Sequence, residues 1–152
     1  MRRFKFQLAG LEKLLAHRED QAKLHAARAI AERQRAANLL GHLGDLTDAA
    51  HRERRTRRAN GTLGPRDEAL YEAYFARMTH AQDQQQQQVA RAAEHEASCL
   101  AGLRHAATKH RTVDLLRDHQ LDEYRQEAAR ELTRTLDEVG ARVGSTNPTT
   151  TT

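Results

Sequence analysis

Six consecutive residues, Asn60-Gly61-Thr62-Leu63-Gly64-Pro65, interrupt a sequence otherwise patterned as helix almost throughout. Glycine and asparagine tolerate positive φ, and proline suits a first helical turn but not a helix interior. The break therefore ends one helix and starts another. The pattern predicts a first helix over 8–58, a turn over 59–65 and a second helix over 65–143. At about 1.5 Å per residue the second helix is on the order of 115 Å long. A short break between two long helices folds them into an antiparallel hairpin.

Each segment carries a stripe with 3.5-residue spacing. In the first it runs Leu8, Leu11, Leu15, Arg18, Ala22, His25, Ala29, Glu32, Ala36, Leu39, Leu43, Leu46, Ala50. In the second it runs Tyr71, Tyr74, Met78, Ala81, Gln85, Gln88, Ala92, His95, Cys99, Gly102, Ala106, Lys109, Val113, Leu116, and then slips by one position to Leu121, Ala128, Leu132, Val139 and Val143. That period is the signature of a left-handed coiled coil. Folding about Thr62 sets Leu46 near Met78, Leu39 near Gln85 and Leu8 near Leu116. The expected fold is thus all-α: an antiparallel two-helix coiled-coil hairpin over residues 1–143 with a C-terminal helical overhang beyond about residue 118. The tail 144–152, rich in Thr, is expected to be disordered.

Composition narrows the function classes. Of 152 residues 38% are hydrophobic, 4% aromatic and 30% charged, and mean hydropathy is −0.86. No apolar run approaches the ~20 residues of a membrane span. The scarcity of β-branched and aromatic residues argues against sheet. Residues 1–60 carry 14 Lys/Arg against 7 Asp/Glu, and residues 61–152 carry 11 against 14, so a segment of +7 is followed by one of −3. Opposite excess charge suits two helices packed together. The single cysteine, Cys99, excludes an internal disulfide framework and fits a reducing cytoplasm. The basic start, Met1-Arg2-Arg3-Phe4-Lys5-Phe6, is followed by no continuous apolar region and does not read as a secretory signal.

Few residues suggest chemistry. There is no phosphate-binding GxxxxGK[ST] loop and no GxSxG elbow. A hairpin has no enclosed cavity in which to shift a carboxylate pKa, so no catalytic residue, metal site or cofactor is expected. His95 and Cys99 lie four apart, but a structural zinc needs four ligands. Gln82 and the run 84–88 read as a solvated helical stretch. The Arg52-Glu53-Arg54-Arg55-Thr56-Arg57-Arg58 cluster closes the first helix, where cations favour the macrodipole. Tyr71, Tyr74 and Met78 follow the stripe, whereas Phe75 falls off it and is expected to be exposed.

Three blocks resemble the flagellar export protein FliJ family and its YscO-type injectisome relatives. They are Phe4-x-Phe6-x-Leu8-x-x-Leu11; Leu70-Tyr71-x-x-Tyr74-Phe75-x-x-Met78; and Leu121-Asp122-Glu123-Tyr124-Arg125-Gln126-Glu127 with Glu131-Leu132 following. The resemblance implies a two-helix coiled coil similar to the stalk of rotary ATPases. It also implies three kinds of partner: a hexameric export ATPase (FliI-like), the membrane export gate (FlhA-like) and export chaperones. On this resemblance Phe4, Phe6, Leu8, Leu11, Leu121 and Tyr124 face the ATPase, and Tyr71, Tyr74 and Phe75 face the gate. The chain would then be cytoplasmic, held at the inner membrane through its partners, and would have no active site. The alternatives are a nucleic-acid-binding coiled coil using the arginine cluster, a membrane-surface helix led by Arg2, Arg3, Phe4, Lys5 and Phe6, and a dimeric structural coiled coil.

Overall fold

The computed structural model describes residues 4–145. They form two helices, α1 (Ala9–Ala59) and α2 (Pro65–Ser145), packed against each other as an all-α hairpin. No strand occurs among the described residues. No described helix is long and apolar enough to cross a membrane. Of the expected disordered tail, Gly144 and Ser145 belong to α2, and 146–152 lie outside the described residues. Met1, Arg2 and Arg3 lie outside them as well.

The turn is built from local hydrogen bonds. Gly61 has φ 66°, the left-handed conformation that glycine adopts without a Cβ penalty. The Gly61 N–H donates to the Arg58 carbonyl, and the Thr62 N–H donates to the Arg57 carbonyl. These are the two bonds of a Schellman cap, which satisfies carbonyls the end of α1 would otherwise leave unpaired. Pro65 then occupies the first position of α2, where its missing N–H costs nothing. Asp67 reaches back to accept a 3.2 Å bond from the Gly64 N–H, half of a capping box.

The chain divides into two compact units: a turn unit, Arg18–Ala106, and a terminal unit, Met1–His17 with Ala107–Thr152. In the turn unit the covered face of α1 centres on Glu19, Ala22, Ala26, Ala29, Arg33, Ala36, Leu40, Leu43, Thr47 and Ala50. That of α2 centres on Tyr71, Phe75, Met78, Gln82, Gln85, Val89, Ala92, Glu96, Cys99, Leu103 and Ala106. Both alternate steps of three and four, as a coiled-coil seam does. Pairs across this seam keep a fixed register. Arg33 pairs with Glu96, and fourteen residues along each helix Thr47 accepts a 2.8 Å bond from Gln82.

Half of the seam differs from the stripe drawn in the sequence. Ala22, Ala29, Ala36, Leu43 and Ala50 are common to both. The alternate members are displaced by one residue: Glu19 replaces Arg18, Ala26 replaces His25, Arg33 replaces Glu32, Leu40 replaces Leu39 and Thr47 replaces Leu46. On α2, Val89 replaces Gln88, Glu96 replaces His95 and Leu103 replaces Gly102. A 3.5-residue spacing admits two phases that share every second position, and the pair of helices decides between them. The adopted phase brings Ala26, Leu40, Phe75, Val89 and Leu103 inward and joins Arg33 to Glu96. It leaves Leu39 and Leu46 exposed. Gln85, expected near Leu39, donates to the Ala36 carbonyl at 2.9 Å and lines one groove with Leu39.

In the terminal unit the covered residues include Glu12, Leu15 and Ala16 of α1 with Val113, Arg117, Gln120 and Tyr124 of α2. This row keeps its three-and-four alternation to Tyr124, so no slip occurs at Leu121, which lies half-buried beside it. Arg117 pairs with Glu12, and Leu8 and Leu116, expected near each other, are both part-exposed. Residues 129–142 are exposed along every face.

Candidate functional site

The turn unit carries the aromatic and arginine cluster. The Phe75 ring stacks on His51 with centroids 3.9 Å apart and planes 9° from parallel. Tyr71 and Tyr74 flank it at 6.1 and 5.8 Å, and the Arg54 guanidinium lies 5.8 Å from its centroid. Phe75 is therefore half-buried in the seam rather than exposed, correcting the sequence expectation. Tyr71 and Tyr74 line an open groove of about 480 Å³ whose apolar floor includes Leu46, Ala50 and Leu70.

The arginines that close α1 are largely committed to the first turn of α2. Arg54 Nε donates to Glu68 at 2.7 Å, Arg57 donates to Asp67 at 2.9 Å, and Arg58 pairs with Glu68. The hydrogen bond from Arg58, supported by Arg54, holds the Glu68 carboxyl below its ordinary pKa. Arg57 is raised, chiefly by a hydrogen bond with Tyr71, with Asp67 adding to it. Sequence reasoning weighed these arginines without their partners. The available signal was the Asp67-Glu68 pair, which a tight turn sets directly opposite.

In the terminal unit the structure brings Phe4 and Tyr124 together, ring centroids 5.6 Å apart. Phe6 and Leu121 are half-buried, and Leu8 and Leu11 are exposed. Beyond these, Leu14, Leu115, Leu116, Leu132, Leu136 and Val139 also expose apolar surface, to 53% at Leu132 and 62% at Leu136. Of these Leu14, Leu115 and Leu136 fell outside the sequence stripe. Desolvating such surface is worth roughly 25 cal/mol per Å². The arrangement is equipped to bind another protein.

His95 and Cys99 approach to 3.7 Å, yet no group of three or more His, Cys, Asp or Glu side chains fit to hold a metal occurs among the described residues. No curated protein and no solved structure matches the chain. The family described as Flagellar FliJ protein matches it over residues 4–148, which takes in both helices, the turn and the Phe4 and Tyr124 ends. A match of that extent, on a two-helix hairpin, settles the affiliation: this chain belongs to the FliJ family and has a role in flagellar protein export.

Proposed function

We propose that the chain couples a hexameric export ATPase to the membrane export gate and recycles export chaperones, acting through docking surfaces and catalysing nothing itself. The observation that carries this is the concentration of exposed apolar side chains in the terminal unit of a chain that belongs to an export family. The ATPase-facing surface comprises Phe4, Phe6, Leu8, Leu11, Leu121 and Tyr124. The gate-facing surface comprises Tyr71 and Tyr74 on the open groove, with Phe75 setting their position from the seam. In this role the chain works on the cytoplasmic face of the inner membrane, held there by its partners.

The geometry takes three of the five clustered arginines out of the nucleic-acid alternative. Arg54, Arg57 and Arg58 pair with Glu68 and Asp67, so phosphate contact would first have to displace carboxylates. The reading is tested with purified export ATPase and Phe6→Glu and Leu121→Glu variants of this chain. Stimulation of ATP hydrolysis is expected to be lost while helicity by circular dichroism is retained. Full stimulation by both variants overturns the ATPase-facing assignment.

A further inference from the structure

One stretch of the turn unit is held together differently from its neighbours. Between residues 36–47 of α1 and 81–89 of α2 side-chain amides stand in the seam beside Leu40, Leu43 and Val89. Gln82 Nε2 donates to the Leu43 carbonyl at 3.2 Å and to Thr47 Oγ1 at 2.8 Å, and Gln85 Nε2 donates to the Ala36 carbonyl at 2.9 Å. Thr47 Oγ1 itself donates back to the Leu43 carbonyl at 2.8 Å. Water can replace each of these bonds at little net cost. Gly41 and Gly44 lie in the interior of α1 here, and a Cβ at either would meet nothing within 4 Å. Close packing therefore does not require glycine at these positions, while its backbone freedom weakens the helix. A groove of about 560 Å³ opens beside Leu39, Leu43, Ala81 and Gln85.

The flanks are tighter. Toward the turn, His51 stacks on Phe75 and Arg54 holds Glu68. On the other side, Ala26 and Ala29 are buried and Arg33 holds Glu96. We propose that residues 36–47 and 81–89 form a built-in joint, at which the two helices part before any other stretch of the turn unit opens. The ion pairs on either side keep the register, so the helices close again on the same partners. The joint lets helix separation change locally under load from a bound partner.

Hydrogen exchange by mass spectrometry on the full chain tests this. Amides of 40–47 and 82–89 are expected to exchange about tenfold or more faster than those of 22–33, 50–57, 71–78 and 92–103. Combining Gly41→Ala with Gly44→Ala is expected to slow exchange in the joint by about tenfold or more and leave the flanks unchanged. Equal exchange along both helices overturns the proposal. So does a double variant whose joint is unchanged, or whose slowing spreads evenly along the chain.

Discussion

Ala26 and His25 are adjacent in sequence, and only one of them can face α2. The structure gives the place to Ala26, which is 3% exposed, and turns His25 to solvent. Leucine at position 26 adds three carbons to a seam that seats only a methyl group. The helices must then spread or the leucine must leave its rotamer, and overpacking of this kind costs about 1–3 kcal/mol. Leucine at position 25 meets no partner helix and stays within about 0.5 kcal/mol of wild type. A domain of this size shifts its Tm by about 2–4 °C per kcal/mol. Thermal unfolding followed by far-UV circular dichroism should therefore show Ala26→Leu losing about 2–12 °C. His25→Leu should move by less than about 2 °C. The opposite order, with His25→Leu raising Tm and Ala26→Leu neutral, would refute the seam phase described above and restore the one drawn from sequence.

Gly61→Ala forces a Cβ into φ 66° and should cost about 1–2 kcal/mol, read as a lower midpoint in urea, while Gly61→Asn should lose less. Glu68 is held below its ordinary pKa by Arg58 and then Arg54, so its stabilising effect is complete above the unfolded carboxylate value of about 4.3 and fades as pH falls through the lower folded value. Wild type should therefore lose Tm more steeply than Glu68→Gln in an acid titration from neutrality, and parallel curves would exclude this role. Lys23, raised by its hydrogen bond with Glu19, works in the opposite direction: its contribution is present below pH 10.5 and disappears above its folded pKa, so Glu19→Gln should flatten the alkaline loss of Tm. Leu11→Glu changes a residue that is 41% exposed, so it should leave Tm within about 2 °C and, on the coupling reading, weaken ATPase capture measured by calorimetric titration.

The hairpin itself was legible because its determinants are local. Gly61 and Pro65 specify a helix stop and a helix start within five residues, and the structure realises both through short-range hydrogen bonds. The seam phase was less legible because it is a property of two helices together. Leu39 and Leu46 are the more apolar choices on α1 alone, and they attracted the stripe. On α2, however, that phase offers Gln88 and Tyr74, whereas the adopted phase offers Val89 and Phe75 and matches Arg33 with Glu96. A stripe counted along one helix cannot include a term that depends on the other.

The same physics separates what could and could not be read of the candidate surfaces. Charge and aromaticity are conspicuous in a sequence, and they drew attention to the turn unit. Once folded, that unit turns many of these groups on itself: Arg54 and Arg58 share Glu68, Arg57 bridges Asp67 and Tyr71, and Phe75 is held between His51 and the tyrosines. Groups already paired must lose those partners before they can serve another molecule, so their contribution to binding is reduced. Leu14, Leu115 and Leu136 are inconspicuous in sequence because none falls on the stripe, yet each leaves substantial apolar area in water. Covering that area displaces water and breaks no ion pair. The terminal unit therefore holds the larger unspent reserve for association, and substitutions there should weaken partner binding more per residue than substitutions of the arginines do.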